Sequence, residues 1–182
     1  IGVVSQGHSA VNHLLDRIVE AGVDPSLVGK KDKPEDCRWT DVPTKEVAAF
    51  IDQHAQTGCV YGGTAWDFAA SDRVADHIFD LLVIDEAGQF SLANTIAVSR
   101  SAERMLLLGD PQQLPQVSQG THPEPVDDSA LGWLTQGEIL PAEFGYFLST
   151  TRRMHPRLCE AVSAHSYADQ LQAHACTLDR RL

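Results

Sequence analysis

Two adjacent carboxylates end an apolar run in the segment LLVIDEAGQF, residues 81–90. Asp85 has the chemistry to hold Mg²⁺, often through water molecules, and Glu86 has the chemistry to accept a proton from a water that attacks a phosphate. Two acids are needed because a carboxylate that is engaged with a cation cannot also serve as the base. Acids at strand ends also cap helices, so the pair alone leaves both interpretations open.

A second polar segment, GDPQQLPQ, follows this pair at residues 109–116, about one strand, helix and strand later. Asp110 and Gln113 are therefore expected beside Asp85 and Glu86 at one edge of a sheet. The neutral amide of Gln113 can donate to a phosphate oxygen and shift when that oxygen leaves. A turn built from Gly, Asp and Pro explains the bend but not the two glutamines that follow it. Together the two segments favour a nucleotide-hydrolysing site.

The elements that must position these side chains alternate along the chain. Strands are predicted at residues 1–5, 27–28, 59–61, 81–85, 104–108 and 145–148, and helices at 9–22, 43–57, 91–100, 129–137 and from about 155. This alternation predicts a doubly wound α/β fold with right-handed crossovers and a mainly parallel sheet. Ligands of such open sheets bind at the carboxyl edge, where both acidic segments are expected.

Five segments, taken in order, resemble the motifs of a known enzyme family. SQGHSAVNHLL, GGTAW, VIDEAGQ, GDPQQLPQ and TRRMHP are similar to motifs Ia, Ic, II, III and IV of superfamily 1 helicases. The nearest similarity is to the 5′-to-3′ branch, which contains the Upf-like and Dna-two-like enzymes. The resemblance covers residues 3 to about 171. It implies a RecA-like fold, ATP and Mg²⁺ as cofactors, and ATP-dependent movement along single-stranded DNA or RNA.

The resemblance also implies roles for residues at the nucleotide site. Asp85 would coordinate Mg²⁺, Glu86 would be the catalytic base, and Gln113 would contact the γ-phosphate. Arg153 would match the motif IV arginine that stabilises transition-state charge, and Asp110 would support the coupling between these groups. The residues before that arginine are usually Gln-Tyr in the family. Here they are Thr151-Arg152, so the choice of Arg153 over Arg152 depends on the Met-His-Pro that follows. Of these three residues, His155 and Pro156 are expected only to start a helix.

A single-stranded nucleic-acid path is implied along the top of the domain. Its candidate contacts are Ser5, Gln6, His8, Ser9, Asn12 and Thr64. Contacts of this kind to the backbone of a strand suit a motor that must step on any base sequence. Trp66 leaves two interpretations open, because its indole could stack on a base or, as is commoner after a buried strand, fill the core.

The main departure from the family pattern is an absence, since the sequence contains no GxxxxGK[ST] phosphate loop and no motif V or VI. The sequence therefore predicts an incomplete P-loop NTPase domain that lacks the P-loop strand and helix. Residues 1–150 would form this partial first domain, and residues 151–182 would hold motif IV and the start of a second. The chain alone is expected to be inactive. The sheet edge near the GDPQQLP strand is expected to close by direct strand pairing or as a dimer of the fragment.

Composition and charge limit the functions that remain possible for this chain. The net charge of −11 is uneven, with −13 in residues 1–150 and +2 in residues 151–182. An acidic body argues against coating nucleic acid by bulk charge, but not against a narrow groove that grips one strand. The four scattered cysteines form no metal or disulfide pattern, and a cytoplasmic protein is expected. The alternative to a motor is a degenerate, non-catalytic domain that binds nucleic acid or a partner protein. A weaker one is a P-loop ATPase fused to another activity.

Overall fold

The computed structural model describes residues 1–70, 72, 74–76, 78–114, 120–136 and 145–180. Its internal contacts divide the chain into two compact units, residues 1–134 and residues 135–182. The division at residue 150, which rests on motif order, stays a prediction.

The first unit is built on a sheet of six strands. They are β1 (Gly2–Ser5), β2 (Val28–Lys30), β3 (Thr40–Asp41), β4 (Val60–Thr64), β5 (Leu82–Asp85) and β6 (Met105–Leu108). Their spatial order is β3-β2-β4-β1-β5-β6, and every neighbouring pair is parallel. The predicted α/β class with a mainly parallel sheet is thus confirmed, and the arrangement fits a RecA-like, P-loop NTPase type of fold.

Helices connect these strands, and a further helix follows β6. They are α1 (His8–Glu20), α2 (Val47–Gln53), α3 (Ala65–Ala69), α4 (Leu92–Ser99) and α5 (Ala130–Thr135), with single 3₁₀ turns at Pro25–Leu27 and Thr44–Glu46. α1 ends where expected, because Gly22 adopts a φ of 104°, which other residues rarely adopt. The sequence reading missed α3 and β3, which are five and two residues long and too short for a periodic signal.

The core of the first unit lies on both faces of the sheet. One cluster packs Phe68, Phe79 and Phe90 around the central strands, and a smaller one packs Val11 and Leu15 of α1 under β4. α1 approaches β4 so closely that a Cβ at Gly62 would lie 2.8 Å from both of these side chains. The helix that begins the predicted nucleic-acid path is therefore fixed firmly to the sheet.

The second unit holds β7 (Thr150–Thr151), α6 (Pro156–Ser166), β8 (Gln172–Ala173) and a 3₁₀ turn at Ala175–Thr177, with β7 and β8 paired in parallel. The strand predicted at residues 145–148 is wrong, because that segment is irregular. Two of its apolar side chains are not covered, since Tyr146 and Leu148 are 93% and 85% exposed. Within the described ranges, no helix is both long and apolar enough to cross a bilayer.

Candidate nucleotide and nucleic-acid site

Strands β5 and β6 bring the two polar segments together at the carboxyl edge of the sheet. Asp85 pairs in register with Leu108, so the two strands end side by side. The Ala87 N–H then donates to the Leu108 carbonyl at 2.8 Å, which joins the loop after β5 to the end of β6. The expectation that both segments share one edge is confirmed.

Two glycines allow these loops to touch through their backbones. A Cβ at Gly88 would lie 2.0 Å from the carbonyl oxygen of Asp110, and a Cβ at Gly109 would lie 2.7 Å from the Ala87 nitrogen. Both neighbours are backbone atoms, which cannot turn aside as a flexible side chain can. Glycine at these two positions therefore sets the distance between the DEAG loop and the GD loop.

Glu86 lies in a strained turn at the end of β5. Its φ is 57°, in the left-handed region that a non-glycine residue occupies at a cost of roughly 1–2 kcal/mol. Its carbonyl accepts hydrogen bonds from the Gln89 N–H at 2.8 Å and the Phe90 N–H at 3.1 Å, and Phe90 is fully buried. The core thus holds the turn in place and leaves the Glu86 side chain exposed beside the half-buried Asp85.

A chain of three amides crosses this edge of the sheet. The Gln6 side chain donates to the Gln89 carbonyl, and the Gln89 side chain donates to the Gln113 side-chain oxygen at 2.9 Å. The chain joins the end of β1 to the loops after β5 and β6. Sequence reasoning assigned roles to Gln6 and Gln113 but missed Gln89, whose signal was its place as the last residue of DEAGQ.

Asp110 shapes the loop after β6. Its carboxylate accepts from the Gln112 N–H at 2.9 Å, and its carbonyl accepts from the Gln113 N–H at 3.3 Å. These contacts form a compact Asp turn, which orients the Gln113 side chain toward Gln89. The role that the family resemblance implies for Asp110 stays a prediction beside this observed one.

The carboxylates fit a magnesium ion of the kind that nucleotides carry. Within the described residues, no three His, Cys, Asp or Glu side chains cluster as a metal cage. Mg²⁺ in phosphoryl-transfer sites needs no such cage, because one or two carboxylates, water and phosphate oxygens complete its shell. Asp85, at the strand end and half-buried, has the donor type and the access for this.

Five of the six predicted nucleic-acid residues lie where β1 leads into α1. His8 and Ser9 are exposed on the first turn of α1, which starts after Gly7 with no side-chain cap. Ser5 is buried, and neither its hydroxyl nor the buried side-chain oxygen of Asn12 has a hydrogen-bond partner in the part of the chain described. Since a buried polar atom without a partner is costly, both are places where a buried water molecule would be stabilised.

Thr64, the sixth, ends β4 opposite Ser5 of β1 and is only 7% exposed. It caps α3 reciprocally with Asp67, which accepts from the Thr64 N–H at 2.9 Å and from its hydroxyl at 2.8 Å. Lys31 lies 2.5 Å from the other oxygen of Asp67. Burial opposes ionisation of Asp67, but these three interactions outweigh it and hold the pKa of its carboxyl below the usual value. The Thr64 hydroxyl proton is thus engaged within the protein.

Trp66 overturns the core interpretation offered from the sequence. The indole is 82% exposed, while the next two residues of α3, Asp67 and Phe68, are buried. A Trp that follows a buried strand commonly packs in the core, but here Phe68 occupies the core and Trp66 does not.

Arg153 belongs to the second unit and is exposed. Its N–H donates to the Thr151 hydroxyl at 3.2 Å, and its carbonyl accepts from Arg180 at 3.1 Å. His155 starts α6 as expected, because its ring accepts from the Arg157 N–H at 3.2 Å. The role of Arg153 at the nucleotide stays a prediction.

Comparison with known families finds a match that covers the centre of this site. Residues 65–119 match the family model described as an AAA domain, a stretch that includes Asp85, Glu86, Gln89 and Gln113. The match and the parallel sheet point to the AAA and P-loop NTPase class, in which helicase-like ATPases are found. No curated protein matches the chain.

Proposed function

We propose that this chain is part of an ATP-dependent superfamily 1 helicase or translocase, which couples hydrolysis of Mg-ATP to movement along single-stranded DNA or RNA. The observation that carries the proposal is the joining of three polar segments at one sheet edge. Backbone contacts hold the Asp85-Glu86 turn against the loop that presents Gln113, and amides continue the link to Gln6 at the start of the proposed nucleic-acid path.

Each residue at this edge has a chemical task in the proposal. Asp85 would hold Mg²⁺, which would neutralise charge on the phosphates. Glu86 orients the attacking water and accepts its proton. Gln113 donates its side-chain amide to the γ-phosphate, an interaction compatible with the observed contact, in which its oxygen accepts from Gln89. Arg153 supplies positive charge as the phosphate leaves.

The nucleic-acid contacts are proposed at the ends of β1 and β4. His8, Ser9 and Asn12 lie on the first turns of α1 and offer polar groups to a sugar-phosphate backbone. Ser5 and Gln6 precede them, and Thr64 lies beside Ser5. Gln6 donates to the loop that carries Glu86. A strand that contacts Gln6 would therefore be linked through hydrogen bonds to the loop of the proposed nucleotide site.

Hydrolysis is the direct test. The 182 residues contain no GxxxxGK[ST], so the chain alone is expected to show no ATPase activity. A version extended upstream to include a phosphate loop is expected to hydrolyse ATP, faster with single-stranded nucleic acid. Glu86→Gln in that version should abolish turnover, while Glu103→Gln, which changes another exposed glutamate of the same unit, should leave it intact.

The absent phosphate loop also favours one alternative, a non-catalytic domain that binds nucleic acid or protein. The extended protein distinguishes the two proposals. Hydrolysis that requires Glu86 supports the motor, and an extended, folded protein without any hydrolysis on DNA or RNA supports the binding domain.

A further inference from the structure

We infer that Trp66 is a base-stacking platform for the single strand, an inference that rests on the nucleic-acid binding proposed above. The indole is 82% exposed at the carboxyl edge of the sheet. This large aromatic surface, left uncovered on a well-packed element, is available to a ligand. The flat faces of nucleic-acid bases are suited to cover it, whatever their sequence.

The position of Trp66 matches the path proposed for the strand. Thr64, two residues earlier, ends β4 in register with Ser5 at the end of β1. Gln6 and His8 follow Ser5 at the same edge, so the indole and the polar candidates emerge from two neighbouring strands. Grooves that bind a single strand combine contacts to the sugar-phosphate backbone with aromatic faces on which the bases stack.

The backbone under Trp66 is held rigidly, which lowers the cost of binding. Thr64 and Asp67 cap α3 reciprocally, and Asp67 is paired with Lys31 at 2.5 Å. Phe68 anchors the same helix in the core, with ring centroids 6.2 Å from Tyr61 and 5.6 Å from Phe79. An indole has two rotatable side-chain bonds, so little freedom remains to be lost when a base stacks on it.

Stacking also suits the charge of this protein. With a net charge of −11, the chain gains little from general attraction to phosphates. Attraction between an indole and a base does not depend on net charge and persists in salt that screens surface charges. Trp66 thereby gives an acidic protein a means to hold a strand.

The test measures binding of the 182-residue chain to fluorescent oligo(dT) and oligo(rU), and to an oligonucleotide of equal length with abasic sites in place of bases. Trp66→Ala is compared with Trp133→Ala, which removes an indole of the same unit that is 51% exposed. Trp66→Phe keeps an aromatic face. Thermal unfolding followed by far-ultraviolet circular dichroism checks that each variant is folded.

The expected result is a loss of affinity of about 5- to 100-fold in Trp66→Ala, little change in Trp133→Ala, and recovery in Trp66→Phe. The abasic strand should bind the original chain and Trp66→Ala equally. If the original chain binds oligo(dT) or oligo(rU) but Trp66→Ala has the same affinity as Trp133→Ala, the stacking inference is overturned and the proposed binding function stands. If the original chain binds none of the strands, the proposed nucleic-acid function fails and the inference fails with it.

Discussion

The Gln89 side-chain amide donates to the Gln113 side-chain oxygen at 2.9 Å, and this contact joins the loops that follow two neighbouring strands. Gln89 also receives the Gln6 side chain on its carbonyl. The two contacts use different groups of Gln89, its side chain toward Gln113 and its backbone carbonyl toward Gln6, so one residue links the ends of the chain. Gln89 is therefore placed to couple the proposed nucleic-acid path to the proposed hydrolytic site.

Replacing Gln89 with Ala should weaken this coupling more than it weakens hydrolysis itself. In the extended, ATP-hydrolysing protein, we expect stimulation by single-stranded nucleic acid to fall by about 2- to 30-fold, the range of a single coupling residue. The measurement compares ATPase rates with and without a saturating strand. Gln112→Ala is the control, since the structure places that neighbouring, exposed glutamine outside the amide chain. Equal stimulation in both variants would rule out the coupling role.

A methyl group at Gly88 should push the two loops apart. Its Cβ would lie 2.0 Å from the Asp110 carbonyl oxygen, a distance that only a backbone shift can relieve. We expect Gly88→Ala to lower the free energy of unfolding by about 1–3 kcal/mol, measured by urea titration. Gly120→Ala, whose nearest non-adjacent atom would lie at 3.7 Å, should change it by less than about 0.5 kcal/mol. Equal effects of the two substitutions would contradict the tight loop contact.

The sequence predicted the sheet well because buried parallel strands have a strong signal. LLVID and RMLLLGD are continuous apolar runs, which are typical of strands in a parallel sheet. The strand at 145–148 was predicted on the same kind of apolar pattern and was wrong, because Tyr146 and Leu148 are exposed and the segment pairs with no described strand. Apolar content predicts a strand only where a neighbouring strand exists to pair with it.

The position of the candidate site residues at one sheet edge was predictable, but their contacts were not. Asp85, Glu86 and Gln113 follow from the ends of two strands, which topology brings together. The left-handed turn at Glu86 and the link through Gln89 depend on loop conformation, and periodicity carries no information about that. The exposure of Trp66 was equally hidden, because it depends on Phe68 filling the core first.

Glu86 should be a residue at which stability is sacrificed for function. Asn tolerates the left-handed region better than Glu does, so Glu86→Asn should raise the free energy of unfolding of the chain by about 1 kcal/mol. Gln disfavours the left-handed region as Glu does, so Glu86→Gln should leave the free energy of unfolding nearly unchanged. Urea titration of both variants checks this, and a destabilised Glu86→Asn would show that the turn carries no releasable strain. In the extended protein, both variants should be inactive.

The stabilisation from Asp67 should depend on pH with a defined sign. The pKa of this carboxyl lies below its usual value of 3.8, because the contacts from Lys31 and Thr64 outweigh burial. The folded state therefore binds this proton more weakly than the unfolded state. The stabilisation is present above about pH 4 and is lost as the pH falls through the lower, folded-state pKa.

Asp67→Asn should remove this contribution. At neutral pH, we expect the free energy of unfolding of the variant to be about 2 kcal/mol lower than that of the original chain. As the pH falls from about 6 to about 2, the free energy of unfolding should decrease less in the variant than in the original chain. Asp52→Asn, at an exposed position on α2, is the control and should follow the original chain. Thermal unfolding across this range measures the effect. A parallel decline in Asp67→Asn and the original chain would show that Asp67 is not the group responsible.

The outer edge of β6 should pair with a second copy of the chain. β6 ends the sheet, no described strand pairs with its outer side, and Met105, Leu106 and Leu108 are 45%, 46% and 42% exposed. An apolar edge strand is a template for another strand, and a two-fold axis lets β6 pair antiparallel with its own copy. Sedimentation velocity should show a fraction of dimer that increases with protein concentration.

Leu106→Lys should return the chain to a monomer, because a charged edge repels its copy, whereas Ile96→Lys, at another exposed apolar position, should still dimerise. A chain that stays monomeric at every concentration, or a dimer that survives Leu106→Lys, would exclude pairing through β6.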